Sequence, residues 1–118
     1  MTREPGLRAG WLVQEGRVLA SADVAATRAA RRRGVIGRTD LDGALVLQPC
    51  RWVHSCGAPF ALDVAYLDAD GTVIKVQRLA RWRIAQPVPR ARSVVEARAG
   101  TFERWGVALG GRLEVRTP

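Results

Sequence analysis

The sequence predicts a mainly β domain, a compact barrel or sandwich with one or two short helices, with an α+β arrangement as the alternative. Three observations lead there. Short β-prone runs recur between Gly, Asp and Pro turn signals. Asp70-Gly71 stands between two such runs as a two-residue type I′ hairpin turn. The helical signals are brief, one behind Thr27 and one behind Thr101.

Residues 1–10 are expected as a flexible leader and residues 11–118 as a single domain. Residues 11–14 and 17–20 flank Glu15-Gly16 and form an opening hairpin. Thr27 can cap a helix over residues 28–33, which Gly34 stops. The arginines at 31, 32 and 33 then sit at the negative end of the helix dipole, as a solvated helix end rather than a phosphate site. Gly34-Val35-Ile36-Gly37 is a tight backbone passage that aims Arg38 at one place.

Residues 44–48 form a short buried strand ended by Pro49. If residues 50–56 continue as a strand, Cys50, Trp52, His54 and Cys56 share a face. Gly57-Ala58-Pro59 breaks that run, and residues 60–67 make the longest apolar strand, interrupted by Asp63. Closing the next hairpin at Asp70-Gly71 pairs Ala69 with Thr72 and sets Arg78 opposite Asp63. Residues 79–92 carry Pro87 and Pro89 and cross the surface. Residues 93–98 form a strand. Residues 102–105 form a helical turn capped by Thr101 and ended by Gly106, and residues 113–115 close the fold.

At 118 residues the chain can bury a core without disulfides or metal, so its two cysteines read as reduced thiols. The N-terminal ten residues lack the apolar segment of a secretory signal. The longest stretch free of charge, residues 52–62, is far short of the roughly 18 apolar residues of a spanning helix. No membrane span is therefore expected, and the chain reads as soluble and cytoplasmic. A net charge of +8 raises nucleic acid as a partner. The excess is spread evenly, with nine cations and five anions in residues 1–59 and ten and six in residues 60–118, or +4 in each half. With neither a stacking platform nor a groove-reading helix, no specific nucleic-acid function is expected.

The polar residues that carry chemistry are Arg38, His54 and Asp63. Cys50, His54 and Cys56 resemble a ligand set, yet strand positions four residues apart lie about 13 Å from each other, and a fourth ligand is missing. No metal and no cofactor are expected. Asp63 needs a partner, because an unpaired buried carboxylate is expensive. Arg78 across the hairpin is one candidate. His54 or Arg38 in a shared pocket is the other, and pairing Ser55 with Leu62 would bring His54 opposite Asp63, whereas a shift of one residue would not.

The blocks TRAARRRGVIGR, ALVLQPCRWVHSCGAPFALDVAYLDADGTV and VVEARAG, in this order, resemble the family numbered 192 among domains of unknown function. The resemblance covers residues 12–115 and implies a compact, mostly β domain with no established activity. The family's Gly-Leu-Met-Gly-Arg motif stands here as Gly34, Val35, Ile36, Gly37 and Arg38, a usual methionine is Ala58, and a Gly-Asp pair is Gly110-Gly111. Arg38, His54 and Asp63 remain in place. The expectation is a binding or accessory domain with a polar pocket at Arg38, His54 and Asp63. It would take a small anionic ligand or a protein partner. The alternatives are a hydrolase or lyase acting on a small anionic substrate, with His54 and Asp63 as catalytic residues, and a protein-interaction factor.

Overall fold

A computed structural model describes residues 6–118 of the chain. Nine elements follow in order among the described residues: β1 (Leu7–Gln14), β2 (Arg17–Ala25), α1 (Arg28–Arg33), β3 (Ala44–Leu47), β4 (Leu62–Leu67), β5 (Val73–Leu79), β6 (Ser93–Arg98), α2 (Thr101–Trp105) and β7 (Leu113–Arg116). The strands form one curled half-barrel sheet in the order β5-β4-β6-β3-β2-β1-β7. All pairings are antiparallel except β2 with β3, whose connection carries α1 across the sheet. Its two ends meet at one corner, where Val73 N–H donates to Gly111 at 2.8 Å and Leu113 N–H to Gly71 at 2.9 Å.

The first strand begins earlier than its sequence signal. Leu7 pairs with Ala25 and Gly10 with Ala22, so residues 7–10 belong to the sheet, and residues 1–5 of the expected leader lie outside the described residues. The β1–β2 hairpin closes on Glu15 and Gly16, both at positive φ, which is the backbone of a type I′ turn. The Asp70-Gly71 hairpin closes differently. Its loop has three residues, with Asp68 N–H donating to Thr72 at 3.0 Å and the Asp68 carboxylate accepting from Asp70 and Thr72 N–H. A bulge between Tyr66 and Leu67 then offsets the extra residue, so Asp63 still faces Arg78.

Both faces of the central strands are buried, which explains why β3 and β4 read as continuous apolar runs. Leu45, Leu47, Leu62, Val64, Tyr66 and Val94 pack on one face with Ala30 and Val35 of the α1 region and with Val53, Ala58 and Phe60. Ala44, Val46, Ala65, Leu67, Val95 and Ala97 pack on the other face with Leu12 and Phe102. The sheet thus separates an α1 layer from an α2 layer, and residue parity along a strand decides which layer a side chain enters.

Residues 50–56 are not a regular strand. They run over the α1 face, joined to the 82–88 crossing by a single bridge from His54 to Ile84 and by the bonds Ser55 N–H to Arg83, Ala85 N–H to Val53 and Val88 N–H to Arg51. Neither pairing of Ser55 with the β4 segment considered above forms, because β5 and β6 occupy both edges of β4.

Candidate functional site

The segment between β2 and β3 builds one wall of a cavity. Thr27 Oγ accepts from Ala30 N–H at 3.1 Å and starts α1, as its hydroxyl predicts, and Gly34 ends it at φ 52. Arg31 reaches back to the carbonyls of Ala26 and Gln48, at 2.6 and 3.2 Å, and fixes the helix to the end of β3. The chain then turns through Gly37, also at positive φ, and delivers Arg38 to Asp23 of β2 at 3.3 Å.

The opposite wall is residues 50–58. Although irregular, it brings Cys50, Trp52, His54 and Cys56 to one cavity, as the expected face-sharing requires. Trp52 donates its indole N–H to Ala85 at 2.6 Å and lies against His54 with ring centroids 5.9 Å apart. His54 Nδ1 accepts from Cys56 N–H at 3.2 Å, so the proton of the neutral ring sits on Nε2. Burial pushes the Cys50 thiol up, and its Sγ is directed at the Trp52 carbonyl at 3.2 Å, so Cys50 is a protonated thiol in a wall rather than a nucleophile.

Between these walls lies a cavity of about 280 Å³. Val35, Ile36, Leu47, Val53 and Ala58 give it aliphatic sides, and Arg28, Arg31, Arg32 and Arg33 surround it with positive charge. Its most buried polar group is Glu96 of β6, only 2% exposed. Glu96 Oε1 and Arg38 Nε are both buried without a hydrogen-bond partner among the described residues. Burial pushes the Glu96 carboxyl up to about 8, against the opposing pull of Arg38, so at neutral pH it carries a proton.

Glu96 and Asp23 are not among the residues that the sequence singles out. The signal was present for Glu96: it interrupts the apolar run of β6 as Asp63 interrupts β4.

Asp63 lies in the other layer. Its Oδ2 accepts from the N–H groups of Gly100 at 2.8 Å and Phe102 at 3.0 Å, and Oδ1 faces Arg78 Nε at 3.3 Å. It is therefore the cap of α2, supplied from the sheet. Gly100 at the N-cap position brings no side chain, and Thr101, the expected cap, lies inside the helix and accepts from Arg104 instead. The structure brings His54 and Glu96 to one cavity with Arg38 behind Glu96, and it places Asp63 across the sheet from them.

No group of three or more His, Cys, Asp and Glu side chains suited to a metal ion occurs among the described residues. No helix among them is long and apolar enough to cross a membrane.

The profile of the DUF192 family, described as an uncharacterized ACR, matches residues 11–115. A comparison with curated proteins finds no match. Among solved structures, the chain is similar to a protein of unknown function from Novosphingobium aromaticivorans, at 16% identity and TM-score 0.76, covering 96% of this chain and 91% of that one. It is also similar to a "putative transcription regulator" from Sinorhizobium meliloti, at 22% identity and TM-score 0.76, covering 98% of each chain. At such identities both likenesses concern the fold alone.

Proposed function

The chain belongs to the DUF192 family, and we propose that it is a small-ligand-binding domain whose cavity beneath α1 takes a small anionic molecule. The observation that carries this reading is the buried Glu96 carboxyl, its Oε1 without a partner, at depth in a cavity with four arginines around it. Arginine side chains attract and orient anions. A neutral carboxyl offers an O–H donor where an ionised one would repel. His54 adds its Nε2–H from the wall, and Arg38 acts from behind Glu96 rather than on the ligand. Asp63 serves as the anchor of α2 in this reading and takes no part in binding.

The test is a screen of small organic anions by backbone-amide NMR. The expected result is shift changes confined to residues 28–38 and 50–58. Shifts scattered over the charged surface, or none, would sink the proposal. Ala58→Leu, which fills the cavity from a fully buried wall position, should abolish the effect while leaving the remaining spectrum folded.

An enzyme is the second reading, favoured by one observation: an imidazole and a buried carboxyl line the same cavity. A hydrolase or lyase would use the Glu96 carboxyl as acid and the Nε2–H of His54 as a second proton donor to the substrate. A substrate screen in which the wild type and His54→Ala are equally inert removes that reading and leaves binding intact.

A further inference from the structure

We infer that the ligand is an organic monocarboxylate, whose carboxylate accepts the hydrogen of the Glu96 carboxyl and whose apolar body lies between the Trp52 wall and the aliphatic side of α1. This rests on the reading of the cavity as an anion-binding site and narrows it to one chemical class.

The argument begins with the donors available at depth. A phosphate monoester presents three terminal oxygens and close to two negative charges, and it needs several converging donors. The deep walls are Val35, Leu47, Val53 and Ala58, which have no polar side-chain atoms. Of the nearby backbone N–H groups, those of Gly34, Cys56 and Ala58 are already committed, to Ala30, the His54 ring and Ser55. The polar side chain at depth is Glu96, whose carboxyl has one hydrogen to give and one oxygen without a partner. One carboxyl donor at depth, with the Nε2–H of His54 on the wall and apolar surface around both, matches a singly charged, two-oxygen acceptor carried on an apolar body.

Charge sign excludes the obvious competitor. An ammonium would pair with ionised Glu96, but it would have to pass Arg28, Arg31, Arg32 and Arg33 and come to rest close to Arg38. A neutral amide fits the donor but gains nothing from the arginines. Only an anion uses both features of the site.

The proton balance is explicit. When Glu96 is protonated, the incoming carboxylate accepts its O–H···O bond and no proton is exchanged with solvent. Once Glu96 is ionised, each binding event must take up one proton, so affinity falls with rising pH. The other charged and titratable groups around Glu96 come from each neighbouring element: Arg38 with Asp23 of β2, Tyr66 of β4, Cys50, His54 and Cys56 of the crossing segment, and the α1 arginines. Burial pushes the Tyr66 hydroxyl up to about 12 and the Cys50 thiol up as well, while it raises the Glu96 carboxyl to about 8.

The experiment titrates the whole chain with four probes that share a phenyl ring, benzoate, benzamide, benzylamine and phenyl phosphate, read by amide shifts at Gly34, Val53 and Cys56. Benzoate should bind tightest, and its dissociation constant should rise about tenfold per pH unit above the titration of Glu96. Glu96→Gln keeps an N–H donor and should bind benzoate with no such pH dependence. A dependence that survives in Glu96→Gln belongs to another group and overturns the inference. If benzamide, benzylamine or phenyl phosphate binds best with shifts at the cavity, the carboxylate assignment fails while the cavity remains a binding site. If none of the four moves these amides, both fail together.

Discussion

Asp63 and Glu96 lie diagonally across one strand pair, Asp63 opposite Ala97 and Glu96 opposite Val64, yet they have opposite fates. Each is a carboxylate in an apolar strand, and each is buried. Asp63 faces α2 and accepts two backbone N–H bonds in addition to Arg78, so its charge is received by groups that would otherwise lack partners. Glu96 faces the cavity, where one oxygen has no partner and burial favours the protonated form. A carboxylate in a buried strand is thus a structural anchor or a candidate site according to which layer receives it. One residue of parity makes that choice.

The largest test of this contrast is pH. Glu96 holds its proton up to about 8 in the folded chain, whereas in the unfolded chain it ionises at its ordinary value of 4.5. Between those limits the folded state binds more protons than the unfolded state, so stability from this group is fully present below 4.5 and is lost as pH rises towards 8. Urea denaturation of the wild type should lose on the order of 4 kcal/mol between about pH 5 and pH 9 through this group. Glu96→Gln should flatten that decline and be the more stable protein at the alkaline end. Parallel profiles for the two proteins would show that Glu96 is ionised throughout and would erase the contrast with Asp63.

Next in size is Asp63→Ala. It removes the α2 cap and strands the N–H of Phe102 in the interior, which should cost about 3 kcal/mol at neutral pH. Asp63→Asn keeps an acceptor for those N–H groups and should recover more than half of the loss. The sign opposes that of Glu96→Gln. If Asp63→Ala leaves the urea midpoint unchanged, the anchor assignment is wrong.

The two helices also differ in how their starts are encoded, and Thr27→Ala measures that difference. Thr27 caps α1 from three residues away, and its removal should cost about 1 kcal/mol. Native-state hydrogen exchange should place the change in residues 28–33. A loss as large as that of Asp63→Ala would mean that local and long-range caps are equivalent here.

This difference explains what could be read from the residues. The Thr27 cap, the Gly34 stop and the Glu15-Gly16 turn depend on neighbours within a few positions, and all stand where expected. The β4–β5 register was legible for a less direct reason: a three-residue loop and a compensating bulge together restore the pairing that a two-residue turn would set. The α2 cap was not legible, because its acceptor lies thirty-nine residues from Phe102. That residues 50–56 are not a regular strand is not legible, because nothing local says that both edges of β4 are occupied, although the alternation does identify which side chains meet at the cavity. His54 is legible by residue type, and Arg38 by the Gly34-Val35-Ile36-Gly37 passage that delivers it. Glu96 carried the same signal as Asp63, but only the packing of α1 and the 50–58 segment over β6 turns it into part of a cavity.

The smallest effect separates the two kinds of partner that Asp63 has. The hairpin register made Arg78 the natural answer to the buried carboxylate, and the pair does form at 3.3 Å. The Arg78 side chain, however, is 62% exposed, so water competes for its charge, and an exposed pair of this kind contributes about 0.5 kcal/mol. The N–H groups of Gly100 and Phe102 hold the other oxygen from the partly buried and buried side. Arg78→Ala should therefore shift the urea midpoint by only a small fraction of the Asp63→Ala effect, and added salt should shrink the difference further. A loss matching that of Asp63→Ala would make the cross-strand pair, and not the helix cap, the reason for a carboxylate at this position.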